Sequence, residues 1–323
     1  MGELTNPELL HQQALYDYYL HGPLKRIELA DRLQGIDYIY TASGALKGIN
    51  SGDPERDPGG DHLNDEVRDD VFGMTLDYYA NDYTSPGFGS YGHTFGNLNI
   101  PIPEQYTGNI RAQSWYSPVD NGQMRTYGYQ YDERNQLTSA IWGKTLKTGS
   151  VYNFVPHEMS AFTENIPEYD LNGNIEVLNR TNKKGTAIAD FDYDYKGNTN
   201  QLSHIRDGED QLLRQYEYNA IGQLLSQTIG KEKQFVQYDV SGKVLGVYEF
   251  YKDGVYETPI VKYTYDDRGF RLSAIHHKGG APESKTWYIR DASGQLLSVY
   301  KEKLPSSVFR LLFPMTCHSG QNS

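Results

Sequence analysis

Aromatic and polar positions alternate through the second half of the chain. Tyrosines stand two residues apart at Tyr216/Tyr218 and Tyr263/Tyr265, so in an extended strand each pair lies on one face. An Asp or Asn follows each pair, and its side chain can accept a hydrogen bond from the backbone two residues on, which begins a turn. A Gly three residues later supplies the positive φ of the turn, and an apolar residue two positions beyond it opens a returning strand. The pattern predicts a β-hairpin.

This phrase recurs six times between residues 169 and 296. Its glycines, counted from Gly173 to Gly294, are 24, 25, 20, 27 and 25 residues apart. Such a period is typical of repeat proteins, in which each unit buries its apolar face against its neighbours. An earlier copy has Asn135 at the Gly position, and Asn also tolerates the left-handed conformation. We expect an all-β chain of antiparallel hairpins in an open, curved sheet, rather than a β-propeller, whose blades need about 40–45 residues.

The pattern assigns roles to two sets of side chains. Asp170, Asp239, Asp266 and Asp291 hold the same place in their copies. This favours turn capping over acid–base catalysis, which needs one pair of carboxylates that differs from the rest. Rows of tyrosines favour packing as cross-strand pairs, although outward-facing rings could stack on sugars. The predicted turn residues are Asp132, Asn135, Asp170, Gly173, Gly197, Asn219, Gly222, Asp239, Gly242, Asp266, Gly269, Asp291 and Gly294. The repeat tyrosines are Tyr38, Tyr40, Tyr129, Tyr131, Tyr169, Tyr193, Tyr195, Tyr216, Tyr218, Tyr238, Tyr263, Tyr265 and Tyr288.

The rest of the chain divides around this array. Residues 1–14 are interpreted as a lead-in, with or without a helical turn, and residues 15–303 as the array, with loop excursions at about 51–70 and 81–105 rich in Gly, Pro and Asp. The tail, 304–323, has no Asp, Glu or Tyr, so we expect a disordered or frameshifted end to a truncated array. Further predicted elements are a hairpin of 14–20 and 24–30 about His21-Gly22-Pro23, an outlying repeat at 36–46, and strands at 71–79 and 109–116.

The acidic excursion at 51–70 allows two interpretations. It holds eight acidic residues, two Asp-Pro pairs and a Gly-Gly. Carboxylates on a flexible loop suit a hard cation such as calcium, but the spacing does not match an EF-hand loop. The simpler interpretation is a solvated excursion between hairpins, and the sequence does not decide whether this loop binds calcium.

The composition of the chain argues against several classes of function. A net charge of −12 and a pI near 5.2 disfavour binding to the phosphate backbone of nucleic acids and to anionic membrane surfaces. Mean hydropathy is −0.68, with no apolar run long enough to enter a membrane. The single Cys317 excludes an intrachain disulfide. Residues 1–20 lack a basic start and an apolar run, so no signal peptide is recognised.

No motif for catalysis or for a cofactor stands out. The chain has nine histidines but no H-x-x-x-H spacing, no G-x-S-x-G elbow and no phosphate-binding loop. Gly87-Phe-Gly89-Ser-Tyr-Gly92 fits G-x-G-x-x-G, but it lies in a predicted loop without the strand and helix that this motif requires. We therefore expect no catalytic, cofactor-binding or metal-binding residues, and no enzyme.

The repeated Tyr-Asp-x-x-Gly-x-Leu phrase resembles the RHS/YD-repeat family, in particular its Bacteroidetes-type members. Longer stretches resemble it too, and the likeness covers roughly residues 15–303. These stretches are Leu20-His-Gly-Pro-Leu24, Leu33-Gln-Gly-Ile-Asp-Tyr38, Asp70-Val-Phe-Gly-Met, Tyr106-x-Gly-Asn-Ile110 and Trp287-Tyr-Ile-Arg-Asp-Ala-Ser-Gly-Gln-Leu296.

The resemblance implies a β-sheet ribbon that spirals into the wall of a hollow shell, as in insecticidal toxin complexes, polymorphic toxins and teneurins, often around a C-terminal toxic polypeptide. The family's self-cleaving core motif is absent, since Asp53-Pro54 and Asp57-Pro58 lack its context. The implied role is a non-enzymatic shell section in a longer secreted or cell-surface bacterial protein, whose partner is its own downstream core or effector domain. The alternative is a module that binds a cell-surface glycan or protein through exposed tyrosines. A hydrolase built on the acidic loop ranks third, and neither nucleic-acid binding nor membrane insertion is expected.

Overall fold

The computed structural model describes residues 13–61, 67–85, 89–90, 102–120, 122–148, 151–157 and 160–304. Within these ranges the regular structure consists of β-strands, together with short 3-10 turns at Pro54–Arg56 and Pro118–Asp120. Strand pairings in the described residues are antiparallel throughout. The predicted all-β fold of antiparallel hairpins is confirmed.

The chain forms two compact units, residues 1–192 and 193–323. Strands β1 to β13 and most of β14 belong to the first. They are β1 (Ala14–Tyr18), β2 (Leu24–Leu29), β3 (Gln34–Tyr40), β4 (Leu46–Ile49), β5 (Gly73–Asp77), β6 (Thr84–Ser85), β7 (Gly89–Ser90), β8 (Ala112–Tyr116), β9 (Arg125–Tyr131), β10 (Leu137–Thr148), β11 (Val151–Pro156), β12 (Glu164–Tyr169), β13 (Ile175–Thr181) and β14 (Ala187–Tyr195).

The second unit is a meander of consecutive hairpins, in which each strand pairs with the next along the chain from β15 to β23. Alternate connections of such a meander lie at the same end of the strands, so the predicted repeat turns share one edge. Its strands are β15 (Leu202–Asp207), β16 (Leu212–Tyr218), β17 (Leu224–Ile229), β18 (Glu232–Tyr238), β19 (Val244–Lys252), β20 (Val255–Tyr265), β21 (Arg271–Lys278), β22 (Ala281–Arg290) and β23 (Leu296–Lys303).

The first unit departs from this order at its loops. Strand β4 pairs with β5, and β5 then pairs with β8, while β6 and β7 form a small hairpin of their own inside the second excursion. Strand β10 is long enough to pair with β9, β11 and β12. The hairpin predicted about residues 21–23 is β1–β2, and the outlying repeat is β3–β4. The lead-in up to residue 12 and the tail from residue 305 lie outside the described residues.

The interior of the first unit is thin and partly polar. Ile102, Ile141 and Phe154 form its apolar cluster. Beside them Ser114 and Thr126, paired across β8 and β9, share a hydrogen bond of 2.9 Å. The cross-strand hydroxyls satisfy one another, which is how a sheet with few purely apolar residues buries its inner face.

Candidate functional site

The predicted turn residues form hydrogen-bonded turns at the ends of strands. Asp239 is typical: its Oδ1 accepts bonds from the backbone N–H of Ser241 (2.8 Å) and of Lys243 (2.9 Å). A bond from the Ser241 hydroxyl, together with these N–H groups, lowers the pKa of the Asp239 carboxyl. Asp132, Asp170, Asn219 and Asp291 accept the same pair of backbone bonds, and Asp266 accepts the second of them.

Positive φ falls where the pattern places Gly or Asn, with one exception. Asn135 (φ 62°) and Gly242 (φ 85°) are typical, and Gly173, Gly222, Gly269 and Gly294 have φ of 86°, 88°, 82° and 91°. In the copy after Tyr195 the left-handed residue is Asn198 (φ 61°), not Gly197. This copy lacks the Asp after its tyrosine, so no side chain fixes the turn in the register of the others.

Two further turns of the same kind were missed by the sequence pattern. Asn182 Oδ1 accepts the N–H groups of residues 184 and 186, and Gly185 has φ 73°. Asp207 Oδ1 accepts those of residues 209 and 211, with Asp210 at φ 62°. No tyrosine precedes either turn, but the Asn-x-x-Gly spacing of Asn182 and Gly185 was a usable signal.

In several copies, the tyrosine that opens the repeat phrase bonds to the preceding repeat. Tyr169 donates its hydroxyl to the carbonyl of Leu137 (2.6 Å) in the first unit. In the second unit, Tyr238 donates to Leu224 (3.0 Å) and Tyr265 to Val244 (2.7 Å). Each acceptor is the apolar residue two positions after the preceding Gly or Asn. Tyr131 to Ile110 and Tyr78 to Leu46 follow the same rule in the first unit.

The residue between the Gly and that apolar position covers the glycine of the next repeat. A Cβ on Gly242 would lie 3.1 Å from Gln223 Nε2, and one on Gly269 would lie 2.4 Å from Lys243 Cε. Lys243 Nζ also donates to the Gly269 carbonyl at 2.7 Å. These glycines therefore meet two demands, a left-handed backbone and close approach of a neighbouring side chain. This contact between a side chain of one turn and the glycine of the next joins neighbouring turns.

All thirteen repeat tyrosines are half-buried. Burial raises the pKa of Tyr129 to about 12, with the nearby tyrosines Tyr131 and Tyr127 adding to the effect. The rings pack within the sheet, and several of the hydroxyls donate hydrogen bonds to backbone carbonyls. The more exposed tyrosines are other residues: Tyr16, Tyr18, Tyr79, Tyr106, Tyr251 and Tyr300.

The first excursion is not a solvated loop, contrary to the simpler interpretation of its sequence. Asp53, Asp57 and Asp61 are 6%, 3% and 4% exposed. Asp53 accepts hydrogen bonds from Lys147 Nζ (2.9 Å) and from the Tyr152 hydroxyl, which tie the loop to β10 and β11. Burial acts to raise the pKa of Asp53, but these bonds outweigh it and lower that pKa.

A second group of carboxylates from this loop lies against β2 and β3. Oxygens of Asp57, Asp61 and Asp70 all lie within 4.8 Å of one another. Arg26 binds Asp61 Oδ1 at 2.6 Å and also binds Asp37, which brings a fourth carboxylate to the group. We call Asp37, Asp57, Asp61 and Asp70, together with Arg26, the aspartate cluster.

Burial, together with neighbouring carboxylates, raises the pKa of two residues of the aspartate cluster. Burial, with the charges of Asp57, Asp61 and Asp37, raises the pKa of Asp70 to about 8. Burial raises the pKa of Asp37 to about 7, although the Arg26 guanidinium acts against it. Asp70 Oδ1 accepts bonds from the side-chain amides of Gln34 (2.9 Å) and Asn50 (2.8 Å). One guanidinium does not balance the charges of three buried carboxylates, Asp37, Asp57 and Asp61, and the half-buried carboxylate of Asp70.

A separate buried ion pair fixes the strands beside this cluster. Lys47 Nζ, fully buried, lies 2.7 Å from Asp77 Oδ1 and 2.8 Å from Asp82 Oδ1. Asp82 also accepts the backbone N–H of Tyr78 at 2.8 Å. Because both carboxylates are paired, we interpret this group as structural.

Comparisons with known proteins give no family. No family model and no curated protein matches the chain. Among solved structures, it is similar to the TcdB2-TccC3-Cdc42 crystal structure at 12% identity and TM-score 0.37, over 92% of this chain and 16% of that chain. TcdB2-TccC3 without its hypervariable C-terminal region matches at 13% identity and TM-score 0.37, over 90% and 16%. A porin-like protein from Bacteroides uniformis ATCC 8492 matches at 13% identity and TM-score 0.24, over 56% and 88%. TM-scores this low support no conclusion about the family or the function of this chain.

Among the described residues there is no helix of the length and apolarity needed to cross a membrane.

Proposed function

We propose that this chain is a non-enzymatic section of an RHS-type shell, which encloses or delivers a C-terminal effector in a secreted or cell-surface bacterial protein. The supporting observation is the bonding between successive repeats. Tyr238 and Tyr265 each reach the backbone of the preceding hairpin, and Lys243 covers the glycine of the next. The proposal also draws on the likeness of the repeat phrases to the RHS/YD family.

These contacts are better suited to a structural role in the shell wall than to catalysis. The repeated Asp carboxylates accept hydrogen bonds from backbone N–H groups, and the repeated Tyr hydroxyls donate to backbone carbonyls. These bonds hold neighbouring hairpins in register. A wall of this kind acts by geometry, since it keeps a polypeptide on one side from proteases on the other. No proton transfer or nucleophile is required for that role.

The test uses the protein encoded by the complete native gene, read through and beyond the codon for Lys303. Negative-stain microscopy should show hollow particles, and limited proteolysis should spare a downstream segment until the shell is opened. Substituting Gly242→Val and Gly269→Val together should weaken the wall and expose that segment, while the surface change Val240→Ser should not, because Val240 is fully exposed. A reading frame without downstream polypeptide, or a segment cleaved equally in all three proteins, would refute enclosure.

A cleft in the first unit favours the second candidate function, glycan binding. Trp142 lines it with Gln123, Lys144 and His157, and the centroid of the Trp142 ring lies 5.3 Å from that of His157. An indole flanked by hydrogen-bonding side chains is suited to stack on a sugar ring. Saturable binding on a glycan array that is lost in Trp142→Ala but kept in Tyr251→Ala would support this function, and equal binding by both variants would exclude the cleft.

A further inference from the structure

We propose that the aspartate cluster of the first unit is a calcium site formed by the carboxylates of Asp57, Asp61 and Asp70. This inference is independent of the proposed shell function. It also revises the expectation of no metal-binding residue, and it places the ligands on a folded loop rather than on a solvated one.

The geometry of the carboxylates supports a cation of this size. Their oxygens lie within 4.8 Å of one another. Calcium binds oxygens at 2.3–2.6 Å, so ligands on opposite sides of the ion are about 4.6–5.2 Å apart. Three oxygens no further apart than this can bind one such ion together. Magnesium, at 2.0–2.1 Å, demands a stricter octahedron, so three carboxylates from one irregular loop favour calcium.

An unpartnered oxygen within the cluster points independently to a ligand. Asp61 has a side chain only 3% exposed, and its Oδ1 is bound by Arg26. Its Oδ2 is buried and has no hydrogen-bond partner. A buried carboxylate oxygen without a partner costs free energy that a bound cation would recover.

The electrostatic balance gives the same result. Asp37, Asp57, Asp61 and Asp70 bring four carboxylates to one Arg26, a formal charge of −3 when all are ionised. A divalent cation reduces this to −1.

Two glycines let Arg26 and its carboxylate partners approach the backbone closely. A Cβ on Gly35 would lie 2.3 Å from Arg26 Nη2 and 2.4 Å from Asp61 Oδ2. A Cβ on Gly59 would lie 2.1 Å from Arg26 Nη1 and 2.3 Å from Asp37 Oδ2. Asp57 Oδ1 and Oδ2 also accept the N–H groups of Gly59 (3.0 Å) and Asp61 (2.6 Å), which hold the loop around the cluster.

The experiment is calorimetric titration of the whole chain with CaCl₂ after removal of divalent ions. We expect one saturable event and a dissociation constant in the range of about 10⁻⁴–10⁻³ M typical of extracellular modules. Magnesium should bind at least tenfold more weakly. A wild-type chain that gives no saturable heat, or that binds both ions equally, would overturn the proposal.

Asp70→Asn separates ligation from folding. Its amide oxygen can still accept bonds from Gln34 and Asn50, and its NH₂ can donate to Asp57. The calcium-free variant should therefore unfold at the same temperature as wild type or higher, yet bind calcium at least tenfold more weakly. Asp239→Asn is the matched control, since Asn219 already occupies the equivalent turn position, and it should leave calcium binding unchanged. If Asp70→Asn bound calcium like wild type, the proposed ligand set would be wrong.

Discussion

The contact between Lys243 and Gly269 gives a quantitative test of how the repeats are joined. Gly254 and Gly269 have nearly the same φ, 85° and 82°, but a Cβ on Gly254 would meet nothing within 4 Å. Gly254→Ala should therefore cost only the left-handed conformation, about 1–2 kcal/mol. Gly269→Ala should cost the same amount and also displace Lys243, whose bond to the Gly269 carbonyl contributes about 0.5–1.5 kcal/mol.

We expect totals of about 1–2 kcal/mol for Gly254→Ala and about 1.5–3.5 kcal/mol for Gly269→Ala, which correspond to about 5- to 30-fold and about 10- to 400-fold changes in local opening. Because repeat arrays open locally, hydrogen exchange of peptides covering β20 and β21 is a better measure than a global melting curve. In a Lys243→Ala background the cost of Gly269→Ala should fall to that of Gly254→Ala. Equal costs in the wild-type background, or no effect of the Lys243 change, would refute the packing argument.

Three other outcomes are expected. Tyr238→Phe should destabilise its hairpin by about 0.5–1.5 kcal/mol through the lost bond to the preceding repeat, whereas Tyr251→Phe, at an exposed ring, should be neutral by the same exchange measurement. Lys47→Met leaves two buried carboxylates unpaired and should cost about 3–5 kcal/mol in urea unfolding; the exposed Lys25→Met should cost less than about 1 kcal/mol, and similar costs would contradict a buried ion pair. The Asp70 carboxyl has a pKa of 3.8 unfolded and about 8 folded, so calcium-free protein should lose stability as the pH rises between these values, with Asp37 acting in the same direction. Thermal unfolding against pH should show this slope, and a slope unchanged by Asp70→Asn would contradict it.

The repeat hairpins could be predicted because their signals are local. Asp239 and Gly242 fix a turn within a few residues, and the tyrosine spacing fixes which faces are shared. The turns at Asn182 and Asp207 were missed because the pattern was defined by its tyrosine, which these turns do not need. In the copy that holds Gly197 the left-handed residue is Asn198, because this copy lacks the capping Asp.

The burial of the acidic loop could not be predicted for the opposite reason. Asp53 is held by Lys147 and Tyr152, which lie 94 and 99 residues further along the chain. Arg26 likewise reaches Asp61 across 35 residues. Composition alone describes such a loop as solvated, since nothing within it shows that distant strands will supply its partners.

The tyrosine bonds between repeats have a consequence for synthesis of the chain. Each acceptor precedes its tyrosine, by 14 residues for Tyr238 and by 32 for Tyr169, so a hairpin leaving the ribosome meets a partner that has already emerged. Assembly can then proceed from the N-terminal side as the chain is translated, at about 5–20 residues per second, with each finished strand edge serving as the template for the next. Edges that would otherwise recruit other chains are covered in the order in which they form.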